Sequence, residues 1–181
     1  LAALFQSVTL RTAGFASFNQ DALTEASKLL SNILMFVGGS SGSTAGGVKT
    51  VTMGLVVLSA VSTMRGRRQV TVFRRSISQQ DISNAVSVAL LVLGLSLFGA
   101  AVLTVCDRCS FLNAIYETTS ALCTVGLTTG ITGTLCAASK LILIVFMFFG
   151  RVGIMTIGVG FMMGDRARER VQYAETKLMI G

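Results

Sequence analysis

One stretch of this chain has the residue types of a phosphate-binding loop. It reads GGSSGSTAGGVKT and covers residues 38–50. A Walker A loop places Lys directly after its last Gly, because the lysine must reach the phosphates that the loop holds. Here Val48 separates Gly47 from Lys49, so the stretch does not fit a phosphate-binding loop.

A second pattern, a Thr-x-Gly turn, could bind a cation through the backbone. It occurs twice, 112 residues apart, as Thr12, Ala13, Gly14 and Thr124, Val125, Gly126. Glycine adopts unusual backbone dihedrals at little steric cost, so such a turn can aim carbonyl groups at one axis. Carbonyl oxygens arranged in this way replace the hydration shell of K⁺ in ion-selective pores.

Other chemistries have little support. The chain contains no histidine, the commonest general base and metal ligand. Cys106 and Cys109 have CxxC spacing, but a metal site would also need Cys123 and Cys136. A disulfide outside the cell is an alternative, although we expect incidental thiols. No paired carboxylates stand out among the eight acidic residues, so we do not expect an enzyme.

The composition is that of a membrane protein. Of 181 residues, 52% are hydrophobic and 13% are charged, against about a quarter charged in soluble domains. Residues 29–48 and 82–106 contain no charge at all. A bilayer core of about 30 Å needs roughly 20 apolar residues as helix. These runs predict an all-α polytopic membrane protein.

The net charge of +7 is concentrated beside the apolar segments. Two arginine clusters flank them: Arg65, Arg67, Arg68, Arg74 and Arg75, and then Arg166, Arg168 and Arg170. The positive-inside rule places both clusters in the cytoplasm. Apart from Phe73, no aromatic residue alternates with the arginines, so nucleic-acid binding is not expected.

The 112-residue offset extends beyond the turns and aligns two units without a gap. Each unit has a short semi-polar helix, about 2–10 and 112–123, then the turn, a polar loop, and an apolar helix from Lys28 or Lys140. One clean span, about 82–105, lies between the units. The short helices predict re-entrant pore helices, because non-helical backbone at membrane depth must be buried or line water. Ser7, Thr9 and Glu117 are expected to brace the turns.

These units resemble the Trk/Ktr/HKT cation transporters, and most closely the membrane subunit of bacterial Ktr-type potassium uptake systems. The motifs that carry the resemblance are Arg11–Phe15, the 38–50 loop, residues 124–130, residues 149–153 and the tail 175–181. The resemblance implies helix–pore loop–helix repeats of potassium-channel-like architecture, with two of four repeats present. The segments are then a partial third repeat at 1–66, a cytoplasmic linker at 67–81, a fourth repeat at 82–165 and a cytoplasmic tail at 166–181.

The resemblance also implies a function, which is K⁺ uptake. The ion would bind the carbonyls of Thr12, Ala13, Thr124 and Val125. It further implies a homodimer, a cytoplasmic ring of nucleotide-binding regulatory subunits and coupling to Na⁺. The chain itself would need no cofactor. It would lie in the inner (plasma) membrane as a multi-pass protein, with the 65–75 loop and the tail in the cytoplasm.

The glycine-rich stretch then has a different interpretation. At about 1.5 Å per residue, Gly38 lies roughly 15 Å from Lys28, near mid-membrane, where a helix break must face water. We expect a flexible gate; a packing kink and a close helix contact through small residues are the alternatives. Its residues are Gly38, Gly39, Ser40, Ser41, Gly42, Ser43, Thr44, Ala45, Gly46 and Gly47.

Two basic residues accompany this gate. Arg151 occupies the position of Gly39 in the second unit, and a charge at that depth is expected to face a cavity or a partner. We expect it to raise the barrier to cations, with a structural ion pair as the alternative. Lys49 is expected at the inner end of the gate, reaching toward the cytoplasm.

Three other functions remain open at this stage. One is a truncated, non-conducting membrane assembly subunit, and another is a transporter of Na⁺ or another monovalent cation. The third is a membrane nucleotide enzyme, which the position of Val48 disfavours.

Overall fold

The computed structural model describes residues 1–43, 45–66, 70–72 and 75–152, which form six α-helices, two 3₁₀ turns and two short strands. The helices are α1 (Ala2–Thr9), α2 (Glu25–Phe36), α3 (Thr50–Met64), α4 (Gln79–Asp107), α5 (Phe111–Leu122) and α6 (Ala137–Val152). The 3₁₀ turns are Gln20–Ala22 and Ile131–Gly133. The predictions for Thr44, Arg67, Arg68, Arg74 and the tail 166–181 lie outside the described residues.

The helices agree with the sequence pattern, with two small differences. The apolar helices α2 and α6 begin three residues before Lys28 and Lys140, at Glu25 and Ala137. Between α3 and α4, strands β1 (Thr71–Val72) and β2 (Arg75–Ser76) pair antiparallel. The mainly helical fold therefore includes a minimal hairpin within the linker.

Local sequence explains where the helices begin and end. The Thr24 side chain caps α2 by accepting a hydrogen bond from the Ser27 backbone N–H at 3.3 Å. Ser78 caps α4 in the same way through the Gln80 N–H. At the other end of α4, Arg108 turns the chain with a positive φ of 50°.

Helix α4 is a candidate membrane span by its length and composition. It has 29 residues and is about 43 Å long at 1.5 Å per residue, more than a bilayer core needs. Within the described residues it is the one helix both long and apolar enough to cross a membrane, and α3 is a shorter apolar helix.

Helix α5 lies at the centre and packs against α2, α4 and α6. All seven residues from Tyr116 to Leu122 are buried, although the first five of them, Tyr116 to Ser120, carry ionisable or hydroxyl groups. Such burial requires internal hydrogen bonds. Thr118, for example, donates to the Ser96 carbonyl of α4 at 3.1 Å. Polar groups of α5 are therefore buried within the hydrophobic core that the same helix helps to form.

The outer faces are apolar. Large side chains are exposed on α1, α2 and α6, among them Leu4, Val8, Leu29, Ile33, Leu141, Ile144 and Phe148. An apolar surface of this extent is typical of a chain surrounded by lipid or by further protein.

Candidate functional site

The two Thr-x-Gly turns follow α1 and α5 and share one unusual backbone conformation. Thr12 and Gly14 have φ of 70° and 78°, and Thr124 and Gly126 have φ of 56° and 88°. The residues between them, Ala13 and Val125, are not among the positive-φ residues. Positive φ is rare for a β-branched residue such as threonine, so both turns hold strained backbone.

The two turns are in direct contact, backbone against backbone. A β-carbon on Gly14 would overlap the Val125 carbonyl oxygen and lie 3.7 Å from the Cα of Gly126. Only glycine allows this approach in the left-handed conformation at this position. Two segments 112 residues apart in sequence therefore meet at a single site.

The carbonyl groups of the two turns accept no hydrogen bond from the described residues. The turn N–H groups bond back to the preceding helices: Ala13 N to Thr9 O at 3.1 Å and Val125 N to Ser120 O at 2.9 Å. Within the described part of the chain, no N–H or O–H group donates to the carbonyl oxygens of Thr12, Ala13, Thr124 and Val125. Carbonyls in such a place need another partner, and water or a cation can supply it.

A hydroxyl group from each short helix fixes the residue after each glycine. Thr9 Oγ1 donates to Phe15 O at 2.7 Å and accepts from Phe15 N at 2.9 Å. In the second unit, Ser120 Oγ donates to Leu127 O at 2.6 Å. These bonds occupy the carbonyl oxygens of Phe15 and Leu127. The series of carbonyl groups without a donor therefore extends no further than Gly14 and Gly126. Thr9 makes the bracing contact expected of it, whereas Ser7 is exposed.

Glu117 braces the second turn from behind. One carboxylate oxygen, Oε1, accepts from Thr128 Oγ1 at 2.6 Å, Thr129 N at 2.9 Å and Thr129 Oγ1 at 3.1 Å. The other, Oε2, accepts from Thr132 Oγ1 at 3.1 Å. This carboxylate holds the extended segment that leaves the turn, as expected for a bracing residue.

The glycine-rich loop separates α2 from α3, and its two ends are tied together. Gly38 N donates to Val48 O at 2.9 Å, and Val48 N donates to Phe36 O at 3.2 Å. Thr50 N donates to Gly39 O at 3.2 Å. The loop is thus a closed excursion from a broken helix rather than a bend within one. Its tip, residues 40–43, is exposed.

This loop rests directly on the second Thr-x-Gly turn. Gly46 N donates to Thr124 Oγ1 at 2.9 Å. A β-carbon on Gly46 would lie 2.5 Å from Thr124 Oγ1 and 2.8 Å from the Cys123 carbonyl oxygen. Gly47 lies against the Cys123 side chain in the same way. The loop and the turn are therefore neighbours along one path.

The two basic residues lie on either side of this loop. Lys49 Nζ donates to Ser43 O at 3.0 Å and Ala45 O at 2.6 Å, so it binds the loop carbonyls. Arg151 is exposed on the last described turn of α6. It lines a cavity of about 790 Å³ with the loop and a second cavity of about 500 Å³ with Thr124, Gly126 and Glu117.

The cysteines form no site. All four are free; Cys123 is buried, Cys109 is half-buried, and Cys106 and Cys136 are exposed. Among the described residues, no group of three or more acidic, Cys or His side chains could hold a metal ion.

One set of site residues is not revealed by the internal repeat. Gln6, Gln20 and Tyr116 form a buried hydrogen-bonded group beside the turns. Their positions in the repeat hold unrelated residues, so self-similarity does not reveal them. Polar residues in otherwise apolar or semi-polar segments were the available signal.

This arrangement of broken helices and carbonyl-lined turns is that of a cation transport protein. Residues 1–168 match the TrkH family of cation transport proteins, and the chain belongs to this family. It is 37% identical over 180 residues to the Ktr system potassium uptake protein B of Bacillus subtilis, covering 99% of this chain. It is 36% identical to the potassium/sodium uptake protein NtpJ of Enterococcus hirae, covering 98% of this chain. With the Ktr system potassium uptake protein B of Vibrio alginolyticus the identity is 31% over the whole chain.

The chain covers only part of these relatives. It spans 40% of the first two and 39% of the third. The family membership establishes a transport protein of the membrane, and the activity of the whole protein is a matter for proposal.

Proposed function

We propose that this chain forms part of the pore of a potassium uptake protein, in which the two Thr-x-Gly turns coordinate K⁺. The observation that carries the proposal is the contact between these turns, whose carbonyl oxygens receive no donor within the described residues. Backbone carbonyls in this arrangement replace the water around a desolvated cation. The names of the relatives, which specify potassium uptake, support the same ion.

The proposed mechanism begins with dehydration of K⁺ at the turns. Thr9, Ser120 and Glu117 hold the backbone in place, so the carbonyls need not reorganise when the ion arrives. The ion then passes the glycine-rich loop, which acts as the gate because it lies directly against Thr124. Lys49 restrains the loop, and the positive charge of Arg151 raises the barrier to cations beside it.

The wider assembly is proposed from the family resemblance. The chain supplies two of four helix–pore loop–helix repeats of a multi-pass protein in the inner (plasma) membrane. Its basic loop 65–75 and its tail face the cytoplasm. Two copies of the complete subunit pair as a homodimer, and a cytoplasmic nucleotide-binding ring regulates them, so nucleotide binds the partner and no cofactor binds this chain.

A second candidate is transport of Na⁺, alone or with K⁺. The observation that favours it is the 36% identity to a protein named for potassium and sodium uptake. Carbonyl turns without an acidic ring suit monovalent ions of either kind.

Rubidium flux into liposomes tests the proposal. The full-length protein that contains this sequence is compared with the present chain alone, with K⁺ or Na⁺ as competitor. We expect flux only from the full-length protein, blocked by K⁺ at lower concentration than by Na⁺. Equal block by both ions would favour the second candidate. No flux from folded full-length protein would favour a non-conducting assembly subunit.

A further inference from the structure

Three buried polar side chains, from segments that flank the two Thr-x-Gly turns, form one hydrogen-bonded group. Gln6 belongs to α1, Gln20 to the 3₁₀ turn after the first Thr-x-Gly turn, and Tyr116 to α5. Their exposed fractions are 9%, 1% and 0%. None of the three takes part in the bracing contacts within each unit that involve Thr9, Ser120 and Glu117.

Gln20 is the centre of this group, and its amide is saturated. Its Oε1 accepts from Gln6 Nε2 at 2.6 Å and from Tyr116 Oη at 3.1 Å. Its Nε2 donates to Phe18 O at 3.0 Å and to Gln6 Oε1 at 3.3 Å. A neutral network with every bond satisfied fixes one geometry, because any displacement leaves a buried polar group unpaired.

The bond from Tyr116 to Gln20 joins the two units across 96 residues of sequence. A second bond reinforces it along the same face of α5, since Asn113 lies one turn before Tyr116. Asn113 Oδ1 accepts from Lys28 Nζ at 2.9 Å, and Lys28 also pairs with Asp21 at 3.0 Å. The segment after the first turn is therefore attached to the helix that carries the second turn.

This attachment bears on the spacing of the turns. The turns approach each other closely at Gly14, Val125 and Gly126, where the two glycines supply no side chains. Hydrogen bonds between the segments that flank the turns therefore help to set their separation. Ion coordination by carbonyls depends on small differences in geometry, and positioning within about 0.5 Å requires a supporting hydrogen-bonded layer.

We propose that Gln20 and Tyr116 are positioning residues that set the spacing of the two Thr-x-Gly turns and thereby the preference for K⁺ over Na⁺. This inference rests on the proposed function. Gln6 orients Gln20, and the hydrogen bond from Lys28 to Asn113 is a second link between the two units. The alternative is that these buried hydrogen bonds stabilise the fold and do not affect the preference between K⁺ and Na⁺.

Tyr116→Phe in the full-length protein tests this inference, because it removes one hydroxyl and keeps the ring. The matched control is Thr118→Val, which removes one hydroxyl from an equally buried residue of α5. Thr118, however, bonds to Ser96 O of α4 and not to the first unit. Rubidium uptake is measured against K⁺ and Na⁺ as competitors, and the melting temperature of each purified protein is recorded.

We expect Tyr116→Phe to lower the ratio of Na⁺ to K⁺ inhibition constants by about three- to tenfold, the scale of one lost neutral hydrogen bond. Thr118→Val should leave this ratio unchanged, even if it lowers the melting temperature as much as Tyr116→Phe does. Gln20→Met, which removes the amide, should lower the ratio as well, and the double variant should add little to either single change.

An unchanged ratio in both Tyr116→Phe and Gln20→Met, with transport retained, would overturn this inference and leave the proposed function standing. A ratio that falls equally in Thr118→Val would overturn it too, because general loosening would then explain the effect. Absence of rubidium uptake by the wild-type protein would overturn the proposed function and this inference together.

Discussion

The two glycines of the carbonyl turns are equivalent in the repeat but not in their surroundings. Both have positive φ, 78° at Gly14 and 88° at Gly126. A β-carbon at Gly14 would overlap the Val125 carbonyl oxygen, whereas at Gly126 the nearest atom would be 3.9 Å away. Alanine at Gly126 would therefore add only backbone strain, and at Gly14 it would also displace the neighbouring turn.

Substitution of these glycines should thus have unequal effects. We expect Gly14→Ala to reduce rubidium uptake by at least about tenfold and Gly126→Ala to reduce it less, because only at Gly14 would the new β-carbon overlap a backbone atom. Gly94→Ala, on α4 with nothing within 4 Å, is the control and should leave uptake unchanged. Uptake is measured in cells at matched membrane expression. A larger loss at Gly126 than at Gly14 would contradict this account.

Arg151 offers a second test with a single residue. It lines one cavity with the gate loop and another with the second Thr-x-Gly turn, so its positive charge lies close to the proposed ion path. We expect Arg151→Ala to raise maximal rubidium flux by roughly two- to tenfold, because a fixed cation at membrane depth repels a passing one. Arg151→Lys keeps the charge and should behave like the wild type. Unchanged flux in Arg151→Ala would exclude a role for Arg151 as a barrier.

At the scale of the elements, the internal repeat predicts most of the helices but not how they contact one another. The short helices, the turns and the break after α2 all follow from residue spacing. The hydrogen bonds that brace the turns do not follow from the repeat, because equivalent positions carry different residues. Gln20 corresponds to Thr132, and Phe5 corresponds to Glu117. Each unit still links its short helix to its 3₁₀ turn, by Gln6–Gln20 in one and Glu117–Thr132 in the other. Chemically different pairs perform the same task, and sequence similarity within the chain cannot show that.

The gate loop likewise depends on long-range contacts. Its position follows from the glycine-rich sequence, but its bond to Thr124 joins residues 78 apart. The Lys49 bonds to Ser43 O and Ala45 O also appear only in the folded chain. They indicate that this lysine restrains the loop.

Loss of that restraint should open the gate more often. We expect Lys49→Met, which keeps the length of the side chain, to raise maximal rubidium uptake about two- to tenfold, the scale of one or two hydrogen bonds to a charged group. The ratio of Na⁺ to K⁺ inhibition constants should not change, because the turns are untouched. Lys140→Met is the matched control: Lys140 also donates to a loop carbonyl, that of Gly133, but away from the gate. Uptake that falls in Lys49→Met while Lys140→Met is normal would argue against a restraining role.

At the scale of the whole molecule, α5 determines how the chain is organised. It carries one carbonyl turn, bonds to the segment that carries the other, and is buried along most of its length by α2, α4 and α6. Buried polar groups of α5 lie within a hydrophobic core, and large apolar side chains of α1, α2 and α6 are exposed as well. Exposed apolar faces around an interior that also contains polar groups fit a pore wall, in which lipid or further repeats cover the exterior.

The same organisation predicts the orientation of the chain in the membrane. With the basic residues inside, α4 must run outward, so the loop at 108–110 lies outside and the β1–β2 hairpin lies inside. In intact cells, a membrane-impermeant maleimide should label Cys106 and Cys136, which are exposed, when each is the only cysteine left. Ser76→Cys, exposed on β2, should be labelled only after permeabilisation.

Cys109 provides an internal control for this labelling. It lies in the loop between α4 and α5, three residues after Cys106, but burial raises the pKa of its thiol, and the charge of Asp107 adds to the shift. A raised pKa leaves less thiolate at neutral pH, so Cys109 should react slowly there and faster as the pH approaches its pKa. If Ser76→Cys were labelled in intact cells and Cys106 only after permeabilisation, the chain would have the opposite orientation. The proposed direction of the pore, from carbonyl turns outside to gate loop inside, would then be wrong.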